Sequence, residues 1–485
     1  MQVKKYLKTF CASIMFVCVA SFATPAYAAN DALLELMKIL KDKGSITQEE
    51  YNLLVNAAEA EDRSAEAIKQ EVKEEVKKDV EKQVAEATKD VPKITTKGKF
   101  KVESSDGDWS FQPIGRIFWD QVWTDDDGST SEDSGTELRR ARLGFQTTFM
   151  KVFKSKLEVD FAESSDAVWK DVWISYNNKN SLGKYYIKLG QSHVPFGHAT
   201  ISSSKYMPLM RRPLFGDGPQ EARRVGVAFR QDSAAENRWL VHAGVFRPGI
   251  SSDSDEIGTD DMSEEISTAI RVAGTPIYRD KKHLFHIGGS YQYRNMNGDA
   301  LSNMDNALLT HIGSGGTMEA NFGTNAEKVN AYDIEAIGVW GPFHAVGEFV
   351  HWDVDDPDGN ADLDAWALDA GWFLTGESMK YKKGQFSGIS PKKALGKGGW
   401  GAWQVAARIE NMDFNDGTVV GGDADVFTAG LNWYPVKNVR FMANWGTVLD
   451  FECTVTAANT LTDTCETGAH GKEPHAFSLR AQVYW

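Results

Sequence analysis

Thiols are scarce in this chain. Two of its four cysteines, Cys11 and Cys18, lie near the N-terminus, and only Cys453 and Cys465 lie beyond it. That scarcity excludes a cysteine-rich scaffold, and no C-x-x-C-H run exists to attach haem. A metal pair at Cys453 and Cys465 lacks histidine or further cysteine at ligand spacing. In an exported chain, two close cysteines read as one disulfide, worth roughly 3 kcal/mol in the chain-entropy account. Long apolar runs are missing too. Past the N-terminus nothing approaches about 18 consecutive apolar residues, which excludes a transmembrane helix. Positive charge is in deficit, with 53 Lys and Arg against 68 Asp and Glu. The balance argues against a nucleic-acid partner, although a local basic cluster can still hold an anion.

What is present begins with an export leader over Met1–Ala28. Lys4, Lys5 and Lys8 form its basic end, Phe10–Phe22 its apolar run, and Ala26-Tyr27-Ala28 an A-x-A cleavage site. Val17 precedes Cys18 where a lipoprotein would have a small residue, so no lipid anchor is expected. Removing three leader lysines takes the net charge from −15 to −18. An exported chain with no spanning helix is periplasmic, secreted or an outer-membrane barrel.

Residues 29–92 are rich in Ala, Glu, Lys and Val. Leu33, Leu36, Met37 and Leu40 form an apolar stripe at helical spacing. Gly44 stops that helix, and Thr47 with Glu50 forms a capping box for the next, with Ile46 and Tyr51 as its hydrophobic staple. Ala65, Ile68, Val72, Val76, Val80 and Val84 then recur among Glu and Lys, mostly at intervals of four. That seam predicts a straight or slightly right-handed coiled coil, too valine-rich to be stable as a lone helix. Self-association of a periplasmic arm, as a trimer beneath three barrels, is the expectation; a solvated single helix or spacer is its rival. Pro92 ends the arm, and residues 93–109 read as a polar linker.

From residue 110 to 485 the period is two. Phe477, Leu479, Ala481, Val483 and Trp485 alternate with Ser478, Arg480, Gln482 and Tyr484. About sixteen such segments run from Pro113–Trp123 to His475–Trp485, and an even count suits barrel closure. A soluble sandwich shows the same alternation. Segments of about 9–12 residues, 15 tryptophans clustered near segment ends and a terminal Tyr484-Trp485 favour a transmembrane barrel. The expected fold is therefore an all-β barrel of about 16 antiparallel strands with an N-terminal helical arm. Short connections such as Gly341-Pro342 read as periplasmic turns. Acidic ones such as Thr124–Thr136, Asp353–Asp362 and Asp450–Glu473 read as outer loops. Thr375–Gly399 is long yet falls on the short-turn side, which periodicity does not explain.

A barrel of this size has an aqueous lumen, so function rests on what narrows it. The stretch Lys188–Arg224 holds roughly thirty residues with no clean period, and loops that long inside a fold are usually functional. It is expected to fold into the barrel mouth. Arg116 alternates with Ile117 and Trp119 and so faces inward. Arg140 and Arg142 share a face. Arg139 breaks the alternation: either it lies at the membrane interface, or the strand bends there and both arginines face the lumen. Rows of guanidinium groups favour oxyanions, and Asp120, Glu158, Asp160, Asp171, Asp333, Glu335 and Glu348 are candidate inward partners for these cations.

The pieces GRIFWD (115–120), LRRARLGF (138–145), LEVDFAE (157–163), IKLGQSHVPFG (187–197), SSSKY (202–206), LTGE (374–377), GAWQVAAR (401–408) and GLNWYP (430–435) run in one order along the barrel. Together they resemble the phosphate-selective porin O/P family. The resemblance implies a sixteen-stranded homotrimer in which an arginine ladder guides anions to a constriction made by an infolded third loop. It also accounts for the long connection after LTGE. By gapless matching, Arg116, Arg139 and Arg140 fall on ladder positions, and Lys205 and Arg212 on basic positions in and just after the infolded loop. Thr200 replaces a lysine of the family's phosphate site, Gln191 an arginine, and Lys170 an acid. The helical arm lies outside the match.

The function expected is passive diffusion of small solutes through an outer-membrane porin, with preference for phosphate or other oxyanions at Arg116, Arg139, Arg140, Arg142, Lys205 and Arg212. Its partners would be outer-membrane lipid, small anions, two further copies of the chain, and a periplasmic or cell-wall partner for the arm. General or cation-preferring diffusion is the first alternative, and a structural tether between outer membrane and cell wall the second. No cofactor or metal is expected. Enzymatic activity is not expected either: the 10 histidines are scattered, and Ser202–Ser204 shows no nucleophile-elbow pattern.

Overall fold

A computed structural model describes the chain except residues 1–25, 89–90, 97, 126–132, 163–166, 218–221, 249–264, 298–300, 302–303, 313–316, 323–325, 358, 418, 454–464 and 466. Most of the leader therefore lies outside the described residues. The chain divides into two compact units, Met1–Val91 and Pro92–Trp485.

The first unit is a pair of helices, α1 (Ala26–Asp42) and α2 (Gln48–Thr88). Gly44 adopts φ 73°, and Ser45 N–H donates to Leu40 O at 2.9 Å, closing α1. The capping box forms as its spacing predicts. Thr47 N–H donates to Glu50 Oε2 at 2.8 Å, and Glu50 N–H to Thr47 Oγ1 at 3.3 Å. Ile68, Val72, Val76 and Val80 are all exposed along α2. The side chains of Ala65 and Val84 lie outside the described set.

The second unit is a closed antiparallel barrel of sixteen strands. These are β1 (Ser110–Asp125), β2 (Gly135–Phe149), β3 (Phe153–Asp160), β4 (Val168–Asn180), β5 (Gly183–His193), β6 (Arg223–Asp232), β7 (Trp239–Arg247) and β8 (Ile266–Asp280). The second half is β9 (His283–Asn295), β10 (Lys328–Trp340), β11 (Phe343–Asp355), β12 (Ala361–Phe373), β13 (Ala402–Asp416), β14 (Val419–Tyr434), β15 (Val439–Glu452) and β16 (His475–Tyr484). Closure runs from His475↔Asp125 to Tyr484↔Arg116. Trp485 N–H then donates to Gly115 O at 3.1 Å. A Cβ on residue 115 would lie 2.2 Å from the Trp485 ring, so glycine here lets the terminal ring lie against the β1 backbone.

Several strands outrun the alternation visible in sequence. β8 continues past Thr275 to Asp280; its register slips between Gly274 and Ile277, where Pro276 has no N–H for the ladder. β13 runs on to Asp416 and β14 begins at Val419, so strand occupies most of the stretch between the two alternating segments. The stretch read as a polar linker carries two short strands, Lys93–Thr95 and Lys101–Glu103, and the second joins β1 through Val102↔Phe111.

The outward face is apolar and ends in aromatic bands. At the end with short turns, Trp403 stacks on Trp433 at 5.7 Å, Trp433 on Phe441 at 5.4 Å and Phe343 on Trp372 at 5.5 Å. At the loop end Trp123 stacks on Phe477 at 5.9 Å. No described helix is long and apolar enough to cross a membrane; strands with one oily face and aromatic ends are the crossing elements.

Candidate functional site

Among the described residues, three segments enter the lumen. The first is the β5–β6 connection, 194–222. Val194-Pro195-Phe196-Gly197 turns it inward, with Gly197 at φ 59°. It then crosses to the far wall, which holds it by its backbone. Glu348 on β11 accepts the Ala199 N–H at 2.9 Å, and Glu410 on β13 accepts the Leu214 N–H at 2.8 Å. Asn432 donates to Pro208 O at 2.7 Å, Arg440 to Met207 O at 2.5 Å and Arg480 to Met210 O at 2.8 Å. Val194, Phe196, Leu209, Leu214 and Phe215 are buried. Polar wall side chains thus satisfy the backbone of a segment whose described regular structure is two single helical turns, His198–Ile201 and Leu214–Asp217.

The second is the long connection between β12 and β13. Its hairpin, Lys380–Lys382 with Gln385–Ser387, enters from the turn end. Tyr381, Phe386 and Ile389 are buried with Leu284, Val339 and Phe373. Gln385 Nε2 donates to Ile201 O at 3.0 Å, so the two inward segments touch. The third is the β9–β10 connection, 296–327, with strands Met304–Asn306 and Met318–Ala320. Arg211 Nη2 donates to Asn306 Oδ1 at 2.7 Å, and Asn306 Nδ2 to Leu214 O at 2.6 Å. Met304, Leu308, Met318 and Phe322 are buried.

The space left beside β1–β4 is a cavity of about 490 Å³ lined by nine arginines and lysines and one carboxylate. The ladder register between β1 and β2 shifts between Phe118 and Asp120, facing Arg140 and Glu137. Strand β2 is therefore bulged at Leu138-Arg139, and Arg139, Arg140 and Arg142 all reach the cavity. The bend alternative for Arg139 is the one realised. Arg139 Nη2 also lies 3.2 Å from His311 Nε2, on the third inward segment.

Carboxylates hold part of this charge. Arg116 Nη2 lies 3.0 Å from Glu158, Arg142 Nε 2.6 Å from Asp160, and Lys156 Nζ 2.6 Å from both Glu158 and Asp171. Arg140 is 3.9 Å from Asp160, Arg223 3.4 Å from Asp171, and Arg139 3.9 Å from Glu137. Nine cations thus meet four acids, and positive charge remains in excess. Lys205 sits over the Tyr206 and Tyr484 rings, 5.4 Å from each centroid. Burial, with the Arg116 guanidinium second, pulls its ammonium down to about 7. Arg212 donates to Ala199 O at 3.0 Å and Ser202 O at 2.6 Å, bracing its own segment as well as lining the cavity.

Arg116, Arg139, Arg140, Arg142, Lys205 and Arg212 thus converge on one cavity. Of the inward acids, Asp120 instead pairs with Arg480 at 2.5 Å, and Glu335 pairs with Arg271, 3.1 Å from its Nε. Thr200 is buried, and Gln191 donates to Trp169 O at 2.8 Å and Lys170 O at 3.0 Å. Lys156 and Arg223 were not singled out from sequence. Lys156 was recoverable, since it alternates with Glu158 and Asp160 on β3. Cys453 and Cys465 are joined, with Cα atoms 5.9 Å apart.

Residues 111–485 match the family described as phosphate-selective porin O and P. An uncharacterized protein of Caulobacter vibrioides is 28% identical over 375 residues, covering 74% of this chain and 72% of its own. OmpT of Vibrio cholerae in its trimer form aligns at TM-score 0.49 and 12% identity, over 78% of this chain and 99% of that one. An anion-selective porin from Comamonas acidovorans aligns at TM-score 0.48 and 11% identity, over 78% of this chain and 100% of that one. The family match spans the whole barrel, the cavity and the inward segments, and the chain is an outer-membrane porin of the phosphate-selective porin O and P family.

Proposed function

We propose that this porin passes small anions, phosphate or other oxyanions among them, by passive diffusion, and that Arg116, Arg139, Arg140, Arg142, Lys205 and Arg212 line the narrow part of the path. The supporting observation is the excess of cations over carboxylates around the cavity beside the inward segment. A fixed positive wall concentrates anions and excludes cations where the lumen is tight. Guanidinium groups also offer planar donor pairs that replace the hydration of an oxyanion. Passage needs no chemical step and no cofactor. The departures at Thr200, Gln191 and Lys170 favour a broad oxyanion preference over a dedicated phosphate site.

The helical unit is read as a periplasmic arm that self-associates, giving a homotrimer. Ile68, Val72, Val76 and Val80 form an uncovered apolar row on α2. A cell-wall partner for the arm is its rival occupant.

Reversal potential across planar bilayers in a salt gradient tests the main reading. Anion preference is expected, weakened by Arg139→Ala combined with Arg140→Ala. Cation preference in the native channel overturns it. Absence of conductance favours the tether.

A further inference from the structure

The connection between β12 and β13 has a second half that the lumen does not use. Residues 391–401 lie at the turn-end rim. Leu395 N–H donates to Pro435 O at 2.8 Å and Gly401 N–H to Lys393 O at 2.9 Å. The Trp433 indole N–H donates to Trp400 O at 2.7 Å. These bonds tie the segment to the aromatic band in which Trp403, Trp433 and Phe441 stack.

Its own apolar side chains stay uncovered. Trp400 is 82% exposed and Leu395 45% exposed. Lys393 and Lys397 are exposed beside them, and no described carboxylate is within ion-pair reach of either. Two other turn-end lysines are paired, Lys151 with Asp108 at 3.0 Å and Lys281 with Glu236 at 3.2 Å. A largely exposed indole and ammonium groups with no described carboxylate partner, tied to a bilayer-facing band, match the level of lipid headgroups. Indole rings prefer that level, and lysines there meet phosphate.

We propose that residues 391–401 dock an anionic phospholipid headgroup of the periplasmic leaflet, with Trp400 and Leu395 in the interface and Lys393 and Lys397 on the phosphate. The acyl surface supplies the apolar part of the contact. The two lysines supply a preference for acidic over zwitterionic lipid. The occupant is the bilayer itself, because the patch is tied to the membrane-facing band through the Trp433 indole and Pro435.

The test uses the full chain in phosphatidylcholine nanodiscs doped with brominated phosphatidylglycerol or, at equal mole fraction, brominated phosphatidylcholine. Tryptophan quenching that is lost in Trp400→Phe reports this residue alone. Phosphatidylglycerol should quench that component at least about twofold more than phosphatidylcholine. Lys393→Gln with Lys397→Gln should abolish the preference while leaving quenching by phosphatidylcholine. Equal quenching by both lipids in the native chain overturns the headgroup assignment. A Trp400 component quenched by neither places the segment away from the bilayer, as a protein partner or second copy would, and overturns the proposal entirely. All three substitutions are at exposed positions, so the barrel should fold in each variant.

Discussion

Asp160 on β3 accepts from Arg142 Nε at 2.6 Å, and the same carboxylate lies 3.9 Å from Arg140. One acid thus restrains two of the arginines proposed to attract anions. Asp160 also accepts the Ala141 N–H at 3.0 Å, and asparagine would keep that acceptor while removing the charge. Asp160→Asn should therefore raise anion-over-cation permeability, by about twofold or more if the lumen behaves as a high-dielectric channel. Reversal potentials in a salt gradient read this directly. An unchanged value would separate these arginines from the ion path.

The Lys205 ammonium should give the channel a pH dependence. Burial and the neighbouring Arg116 bring it down to about 7. Below that pH it is charged, and above it neutral. Anion preference should fall as pH rises through about 7, and Lys205→Gln should flatten the profile at the high-pH level. A native profile that is flat between acidic and alkaline buffers would count against a role for Lys205 in selectivity.

Gly197 lets the inward segment approach the β11 wall. Its φ is 59°, and a Cβ there would lie 2.6 Å from Glu348 Oε1. Left-handed backbone costs an L-residue roughly 1–2 kcal/mol. Gly197→Ala should loosen the segment while leaving the barrel closed. Single-channel recordings should show larger and noisier openings, with heat-modified gel mobility unchanged. Quiet native conductance in this variant would show that Glu348 can move aside.

The arm and the barrel should separate in function. Deleting residues 29–91 should leave single-channel conductance intact and lower the temperature at which trimers dissociate in detergent. Trimers of full stability would argue against the uncovered valine row of α2 as an assembly seam.

The barrel was legible in sequence because a strand's side-chain period is fixed at two. Phe477 to Trp485 and Trp403 to Ile409 each declare an oily face and a wet face before any partner strand is known. Thr47 and Glu50 were legible for the same reason, since a capping box is local. Boundaries were less so. Pro276 looks like a break, yet ladder pairing with neighbours carries the strand through it to Asp280.

The inward side was harder to read. Arg139 could not be placed from alternation, because a bulge shows itself only against the opposing strand. Thr375–Gly399 was visible as an anomaly, but nothing local says that Tyr381 and Phe386 bury inside the barrel. The 296–327 connection, with its buried methionines, gave no periodic signal at all.

Chain periodicity by itself determined an all-β body with a separate helical stretch, since both periods are properties of consecutive residues; segment length, tryptophan placement and the terminal Tyr484-Trp485 then favoured a barrel over a sandwich. It also placed arginines on the first two strands. Only tertiary structure decided which of them face one cavity, which carboxylates restrain them, and which loops narrow the space. Those outcomes depend on contacts between residues far apart in the chain, such as Leu214 with Glu410 and Asp120 with Arg480. Hydrogen bonds and ion pairs of that kind are fixed by how sixteen strands close, and no local pattern records them.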